Sequence, residues 1–322
     1  MLDVRRLRIL REVAAHGTIA ACADALSYTP SAVSQQLAAL EREVGLPLLE
    51  RNGRGVRLTG AAERLVEHTE RILAALEAAE ADLEALSEQV EGDLRVAAFP
   101  TAASTFVPPA IAALQTEHPA VRVSYRELES DDSLPALKHG EIDLAVAYDF
   151  APHDPDPGID REELFEDPLR VALPVGHPAT AARAVSLSAL AGERWVTPEE
   201  GTWCRDLVTL ACSTAGFIPQ VAFESNDFRV FSEFVSAGLG VAVIPGLAAA
   251  FPHPGVVVRP LRGQRIARRV FIAVRRGSGS RPAIAAMAAA LRGQAVHHGS
   301  ERVSRARPRV RPGSPQSPRS AR

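Results

Sequence analysis

The chain has 322 residues, 46% of them hydrophobic, enough for a sizeable core and for two or three domains. No run of about 18 apolar residues occurs, and the charged N-terminus MLDVRRLRILREV lacks a secretory apolar core, so a cytoplasmic protein without membrane spans is expected. The net charge of −3 is unevenly spread: residues 1–65 carry 9 arginines against 7 acids, and residues 299–322 carry 7 against 1, leaving the middle strongly acidic.

Leu2, Leu7, Leu10, Val13 and Ala14 form one helical stripe ending near Gly17. A short alanine-rich helix over about 19–25 follows. Thr29 and Pro30 supply a side-chain cap and a first-turn proline, so a new helix starts at Pro30. In it Val33, Leu37, Leu40 and Val44 make one apolar face, and Gly45 is a suitable C-terminal cap. Ser31, Ser34, Gln35, Ala38 and Arg42 occupy the opposite face, which is short of charge for a solvated helix. Two helices joined by a tight turn, the second with a smooth face of short donors and acceptors, make a helix-turn-helix whose second helix enters the major groove. Acidic side chains on that face would meet phosphates at a cost. Residues 46–50 and 56–58 read as two strands around a turn bearing Arg51 and Arg54, a wing suited to phosphate or minor-groove contact.

The run GTIAACADALSYTPSAVSQQLAALEREVGLPLLERNGRGVRLTGAAERL resembles, without gaps, the winged helix-turn-helix of the LysR-type transcriptional regulators. The resemblance implies DNA contact by Thr29, Pro30, Ser31, Ser34, Gln35, Arg51 and Arg54. That family often has Gln-Pro at Pro30-Ser31, Arg at Gln35, Phe at Leu49 and Gly at Ala62. These departures leave the fold alone and bear on which bases are read, because Gln35 cannot make the two-pronged contact of arginine with guanine.

Thr59 caps a helix of about 30 residues with no Pro or Gly between 61 and 91. Leu65, Thr69, Ile72, Leu76, Ala79, Leu83, Leu86 and Val90 trace a heptad seam along it, predicting a homodimer coiled coil in preference to docking on the chain's own next domain. The resemblance agrees, since this helix pairs subunits in the LysR-type family. A dimeric helix-turn-helix protein reads two half-sites, so an inverted-repeat operator is expected.

From Gly92 short apolar runs alternate with helices: candidate strands fall at 94–99, 121–127, 144–147, 169–174, 195–197, 221–223, 241–244, 256–260 and 270–274. That alternation argues for parallel sheets with helices on their faces. The region resembles the family's two-lobed effector domain, related to periplasmic solute-binding proteins, most tellingly at FESNDFRVFSEFVSAGLGVAVIP. The expected organisation is therefore α+β multidomain. It comprises a winged helix-turn-helix (1–58), a linker helix (59–91), an effector domain (92–293) and a disordered basic tail (294–322). Within the effector domain, lobe I spans about 92–160 and 256–293, and lobe II about 161–255.

Ligands in open α/β sheets sit where strands end and helix N-termini present free N–H groups. Thr101 and Ser104 after the first strand, Thr197, Thr202 and Trp203 in the second lobe, and Tyr148 past a strand are the candidate effector contacts, in an interlobe cleft. Hydroxyls beside amides suit a small organic anion. The simpler role for each Ser or Thr is a plain helix cap. The partners expected are thus double-stranded DNA, a small-molecule effector and further copies of the chain as a dimer or tetramer, with RNA polymerase as another; neither cofactor nor metal is implied.

Two other classes compete. An enzyme has little support: no Gly-rich phosphate loop follows a strand, GxSxG and HExxH are absent, and His68, His118, His139, His153, His177, His253, His297 and His298 are scattered. A thiol redox sensor would use Cys204 and Cys212 of the three cysteines. On one helix they lie eight residues and so about 12 Å apart, too far for a disulfide unless it unwinds.

Overall fold

The computed structural model describes residues 1–52, 55–86, 89–150, 156–263 and 266–305, and their side chains except at 51–52 and 297–305. The N-terminal head opens with α1 (Val4–His16), capped by the Asp3 carboxylate on the Arg5 amide at 2.8 Å and closed by Gly17 in the left-handed region (φ 70°). Thr18 caps α2 (Ile19–Ala25) and Thr29 caps α3 (Pro30–Val44), with Pro30 in the first turn and Gly45 closing it at φ 75°. Leu7, Leu10, Val13, Cys22, Val33, Leu37, Leu40 and Leu48 form one core beneath the three helices. Each leucine so buried contributes about 1.5–3 kcal/mol.

Strands β1 (Leu49–Asn52) and β2 (Gly55–Leu58) pair antiparallel, Leu49 opposite Leu58. The first begins three residues later than the apolar run suggests. The Glu41 carboxylate takes the Leu48 and Leu49 amides at 2.8 and 3.3 Å and so ties residues 48–49 to the end of α3.

Helix α4 (Gly60–Ala85), capped by Thr59, is 26 residues long and ends at Leu86, short of residue 91. Then come β3 (Gly92–Ala98), α5 (Pro100–Ala103), α6 (Val107–Glu117), β4 (Val121–Glu127), α7 (Ser130–Lys138), β5 (Leu144–Asp149) and the long β6 (Ile159–Pro174). They are followed by β7 (Arg194–Thr197), α8 (Trp203–Thr214), β8 (Gln220–Glu224), α9 (Phe228–Ser236), β9 (Val241–Pro245), β10 (Val256–Pro260), β11 (Ala267–Arg275) and α10 (Pro282–Arg305). Every expected strand from residue 92 onward is present. The tail, expected to be irregular from 294, is helical through Arg305; residues 306–322 lie outside the described residues.

The chain divides into two compact units whose borders differ from the expected lobes. The first comprises Met1–Ala98, His118–Glu162 and Ile272–Ala286, so the head and α4 belong with part of the α/β region. In it β3 lies between β4 and β5, all parallel, the arrangement that places helices on the sheet faces. The second comprises Phe99–Glu117, Glu163–Phe271 and the chain from Met287. There β7 pairs in parallel with β8 and β9, while β9 and β10 flank β6 antiparallel. Trp195, Leu190, Leu173, Val208, Cys212 and Val243 fill one face of that sheet and Phe231, Val235 and Ile244 the other. Among the described residues no helix is long and apolar enough to cross a membrane.

Within the first unit α4 uses two faces differently. Glu70, Leu73 and Ala81 are buried, Glu77 pairs with Arg275 at 2.9 Å, and Glu84 pairs with Arg281 at 2.6 Å. At Gly277 (φ 88°) a Cβ would stand 2.3 Å from the Ala74 carbonyl, so only glycine lets this loop lie against the helix. The expected seam splits. Leu65 and Ile72 pack on the head core and Thr69 is buried, whereas Leu76, Ala79, Leu83 and Leu86 face outward, Leu83 being 70% exposed and Leu86 81%. Apolar side chains in that register are what a second helix covers.

Asp143 receives the Arg95 guanidinium at 2.7 and 3.0 Å, the Arg95 amide at 3.0 Å, and Arg275 at 3.4 Å. Burial pushes its carboxyl up, but the Arg95 bonds more than offset this and hold it below its ordinary value of 3.8. A carboxyl depressed by folding stabilises the protein above about pH 4 and loses that contribution as pH falls through its folded value. Asp143→Asn should therefore lower the melting temperature at neutral pH, with the gap to the parent narrowing as pH falls toward about 3. Leu83→Glu should shift the chain toward monomer in sedimentation with little change in melting temperature. Gly277→Ala should do the reverse, lowering the melting temperature by several degrees, on the order of 1–3 kcal/mol, without changing association.

Candidate functional site

The outward face of α3 is built by removing charge from it. Ser31, Ser34, Gln35, Ala38 and Arg42 are exposed, while Val33, Leu37 and Leu40 are buried beneath. Both acids of the helix are engaged elsewhere. Glu41 holds the Leu48 and Leu49 amides, and Glu43 is bound by Arg6, whose Nε also donates to Gln36 at 3.1 Å. Thr29 Oγ1 accepts from the Ala32 amide at 3.2 Å, so its role is that of a cap. Ser34 Oγ donates to the Pro30 carbonyl at 2.9 Å and keeps its lone pairs for an outside donor. Gln35 offers both an amide donor and a carbonyl acceptor. Arg42, whose Nε donates to the Ala38 carbonyl at 3.2 Å, and the exposed Tyr28 just before the helix extend this surface beyond the expected set. Arg51 stands opposite Val56 in the wing; its side chain, and Arg54 altogether, lie outside the described residues.

The expected effector residues divide by their environment. In the second unit Thr101 is 6% exposed, and its hydroxyl accepts from Arg268 at 2.8 Å. Arg268 is itself buried, pairs with the fully buried Asp167 at 2.7 Å, and lies 4.8 Å above the Phe99 ring. The second Asp167 oxygen accepts the Leu247 amide at 2.9 Å. This network ties the turn of α5 to β6, β11 and Leu247, two residues after β9. A hydroxyl that already accepts from an arginine retains its proton to donate, which suits a carboxylate or another anion. Ser104 donates instead to the Pro100 carbonyl at 2.9 Å.

Thr197 is buried, and its oxygen accepts from Arg205 at 2.9 Å; the same guanidinium binds Glu224 at 2.5 Å. Thr202 caps α8, accepting the Arg205 amide at 3.2 Å and donating to the Glu199 carbonyl at 2.8 Å, which fits the plain capping role. Trp203 opens α8 and is half-buried. In the first unit Tyr148 is 3% exposed, its hydroxyl donating to Glu129 at 2.8 Å and its amide to Ser130 Oγ at 2.8 Å. It closes the end of β5. Sequence reasoning missed Arg268 and Asp167; the available signal was an arginine inside the apolar strand ARRVFIAV.

Cys204 and Cys212 both lie on α8, unbonded to each other. Cys212 is fully buried in the Trp195 core, and burial pushes its thiol up to about 11, which leaves little reactive thiolate.

Residues 4–63 match the model of the bacterial regulatory helix-turn-helix protein, lysR family, and residues 87–296 match the LysR substrate binding domain. The transcriptional dual regulator GltC of Bacillus subtilis (strain 168) is 30% identical over 273 residues, covering 84% of this chain and 90% of that protein. A full-length OxyR variant from Pseudomonas aeruginosa is similar in structure with a TM-score of 0.61 at 25% identity, over 91% of this chain and 98% of that one. Full-length CbnR in complex with its target DNA is similar with a TM-score of 0.53 at 25% identity, over 91% and 100%.

The buried network sets a stability test. Arg268→Ala leaves the Asp167 charge without its cation and should cost about 3–5 kcal/mol in urea unfolding. Thr101→Val should cost about 1 kcal/mol, and the two together less than their sum. A loss below about 1 kcal/mol for Arg268→Ala would contradict the assignment.

Proposed function

Because the chain belongs to the LysR family of bacterial transcription regulators, we propose that its α3 face reads an inverted-repeat operator on double-stranded DNA in the cytoplasm. The observation that carries this is the disposal of charge around α3. Glu41 and Glu43 are both taken up by groups of the head itself, and Ser31, Ser34, Gln35 and Arg42 are left outward. Short hydroxyl and amide side chains reach base edges, and arginines meet the flanking phosphates. Two copies joined along Leu76, Ala79, Leu83 and Leu86 carry two such faces, matching two half-sites.

The effector is a small organic anion, received near the Thr101 hydroxyl with Arg268 fixing that hydroxyl's orientation. Its binding shifts the population of subunit arrangements and thereby the operator geometry that the two heads fit. This is a regulator's chemistry rather than an enzyme's: the polar groups described orient and bind, and none forms a nucleophile and base pair. The thiol alternative has less support, since Cys212 is buried in the core with its thiol pushed up to about 11.

Alanine at Ser34, Gln35 and Arg54 together should weaken operator binding in gel shifts by on the order of 100-fold or more, at about 1–3 kcal/mol per good base contact, with the dimer unchanged in sedimentation. Unchanged affinity sinks the assignment of α3 as the reading helix. Mild peroxide should leave operator affinity unchanged; a reversible peroxide-dependent shift would restore the thiol reading.

A further inference from the structure

Glu12 and His16 sit four residues apart on one face of α1, and His139 is the residue that ends α7. The fold of the first unit brings the three together. Glu12 Oε2 lies 2.7 Å from His139 Nε2 and 3.8 Å from His16 Nε2. The two imidazoles stack, centroids 5.1 Å apart and 24° between planes. All three ligand atoms fall within 4.8 Å of one another.

Glu12 is 1% exposed, a place where an acid persists only with compensation. Arg11 compensates one oxygen, Oε1, at 2.6 and 3.1 Å, leaving Oε2 directed at the imidazoles. His16 Nε2 is buried and makes no hydrogen bond, and such a nitrogen calls for a partner.

We propose that Glu12, His16 and His139 form a binding site for a divalent first-row transition-metal ion, zinc by its donor set, that clips the first helix of the DNA-binding head to the end of α7. Two imidazole nitrogens and one carboxylate oxygen are the set zinc takes when a fourth position stays open to water. Tetrahedral zinc with bonds of 2.0–2.1 Å spaces its ligand atoms about 3.4 Å apart. The 2.7 and 3.8 Å separations lie on either side of that spacing and the third is within 4.8 Å, so side-chain rotation brings the three onto one ion. A cavity of about 290 Å³ whose wall includes Glu12 and His139 gives an entry path. Three cations on its wall are engaged by other acids, Lys138 by Asp156 and Glu70, Arg275 by Glu77 and Arg276 by Asp160; Arg11 holds Glu12 Oε1, and Arg8 also stands on the wall. The rival arrangement is a metal-free ion pair between Glu12 and a protonated His139.

The test uses the full chain with His297 and His298 replaced by alanine, stripped with a chelator and titrated with zinc against a competing dye. One site per chain is expected. His16→Ala and His139→Ala should each weaken it by about 100-fold, Glu12→Gln by at least tenfold, and His118→Ala not at all. Cobalt should give the visible absorption of a tetrahedral centre in the parent and lose it in His16→Ala. Bound zinc should raise the melting temperature of the parent and not of His16→Ala. Circular dichroism checks each variant's fold, and should His139→Ala unfold, His16→Ala decides, because that side chain is the more exposed of the two. No zinc bound by the parent, or equal binding by the parent and a folded His16→Ala, overturns the proposal.

Discussion

Helix α4 has two apolar faces that one chain cannot satisfy alone, and the rest of the protein is arranged around that constraint. One face is consumed internally, with Leu73 and Ala81 buried, Glu77 and Glu84 paired with Arg275 and Arg281, and Gly277 admitting the opposing loop to the backbone. The other leaves Leu76, Leu83 and Leu86 in water. Because Leu65 and Ile72 of the same helix enter the core of the head, any second copy on the outer face also fixes the spacing of two heads. The helix is therefore the element through which association and DNA geometry are linked.

The opposite problem is solved on α3. A surface helix ordinarily advertises its charges, yet here both acids are paired with groups of the head and hydroxyl and amide groups are left outward. The same economy of charge appears in the second unit, where Arg268 is buried but matched by Asp167, Thr101 and the Phe99 ring. A matched buried arginine is stiff, and stiffness lets a single hydroxyl present its proton in one direction.

Much of this was legible in the sequence. The caps Thr18, Thr29 and Thr59, the closing glycines Gly17 and Gly45, and the apolar strands marked most elements because local chemistry dictates them. What escaped was set by distant contacts. The start of β1 depends on Glu41 reaching seven residues ahead, and the seam of α4 is cut short because its first turns belong to the head core. Helix α10 outruns its apolar stretch, and residues 99–117 group with the second unit although β3 before them belongs to the first. Arg268 met Asp167, and His16 met His139, only through topology; no spacing along the chain announces either. At the residues expected to contact an effector the sequence named the loops, but not which hydroxyls were already spent as caps or held by arginines.

The central claim is that two α3 faces, joined through α4, read one stretch of DNA. Sequencing genomic fragments selected by the purified full-length protein tests it most directly. A dyad-symmetric motif whose half-sites lie one helical turn, or a whole number of turns, apart should be enriched. Fragments with no shared motif, or with single half-sites lacking a symmetry mate, would contradict it.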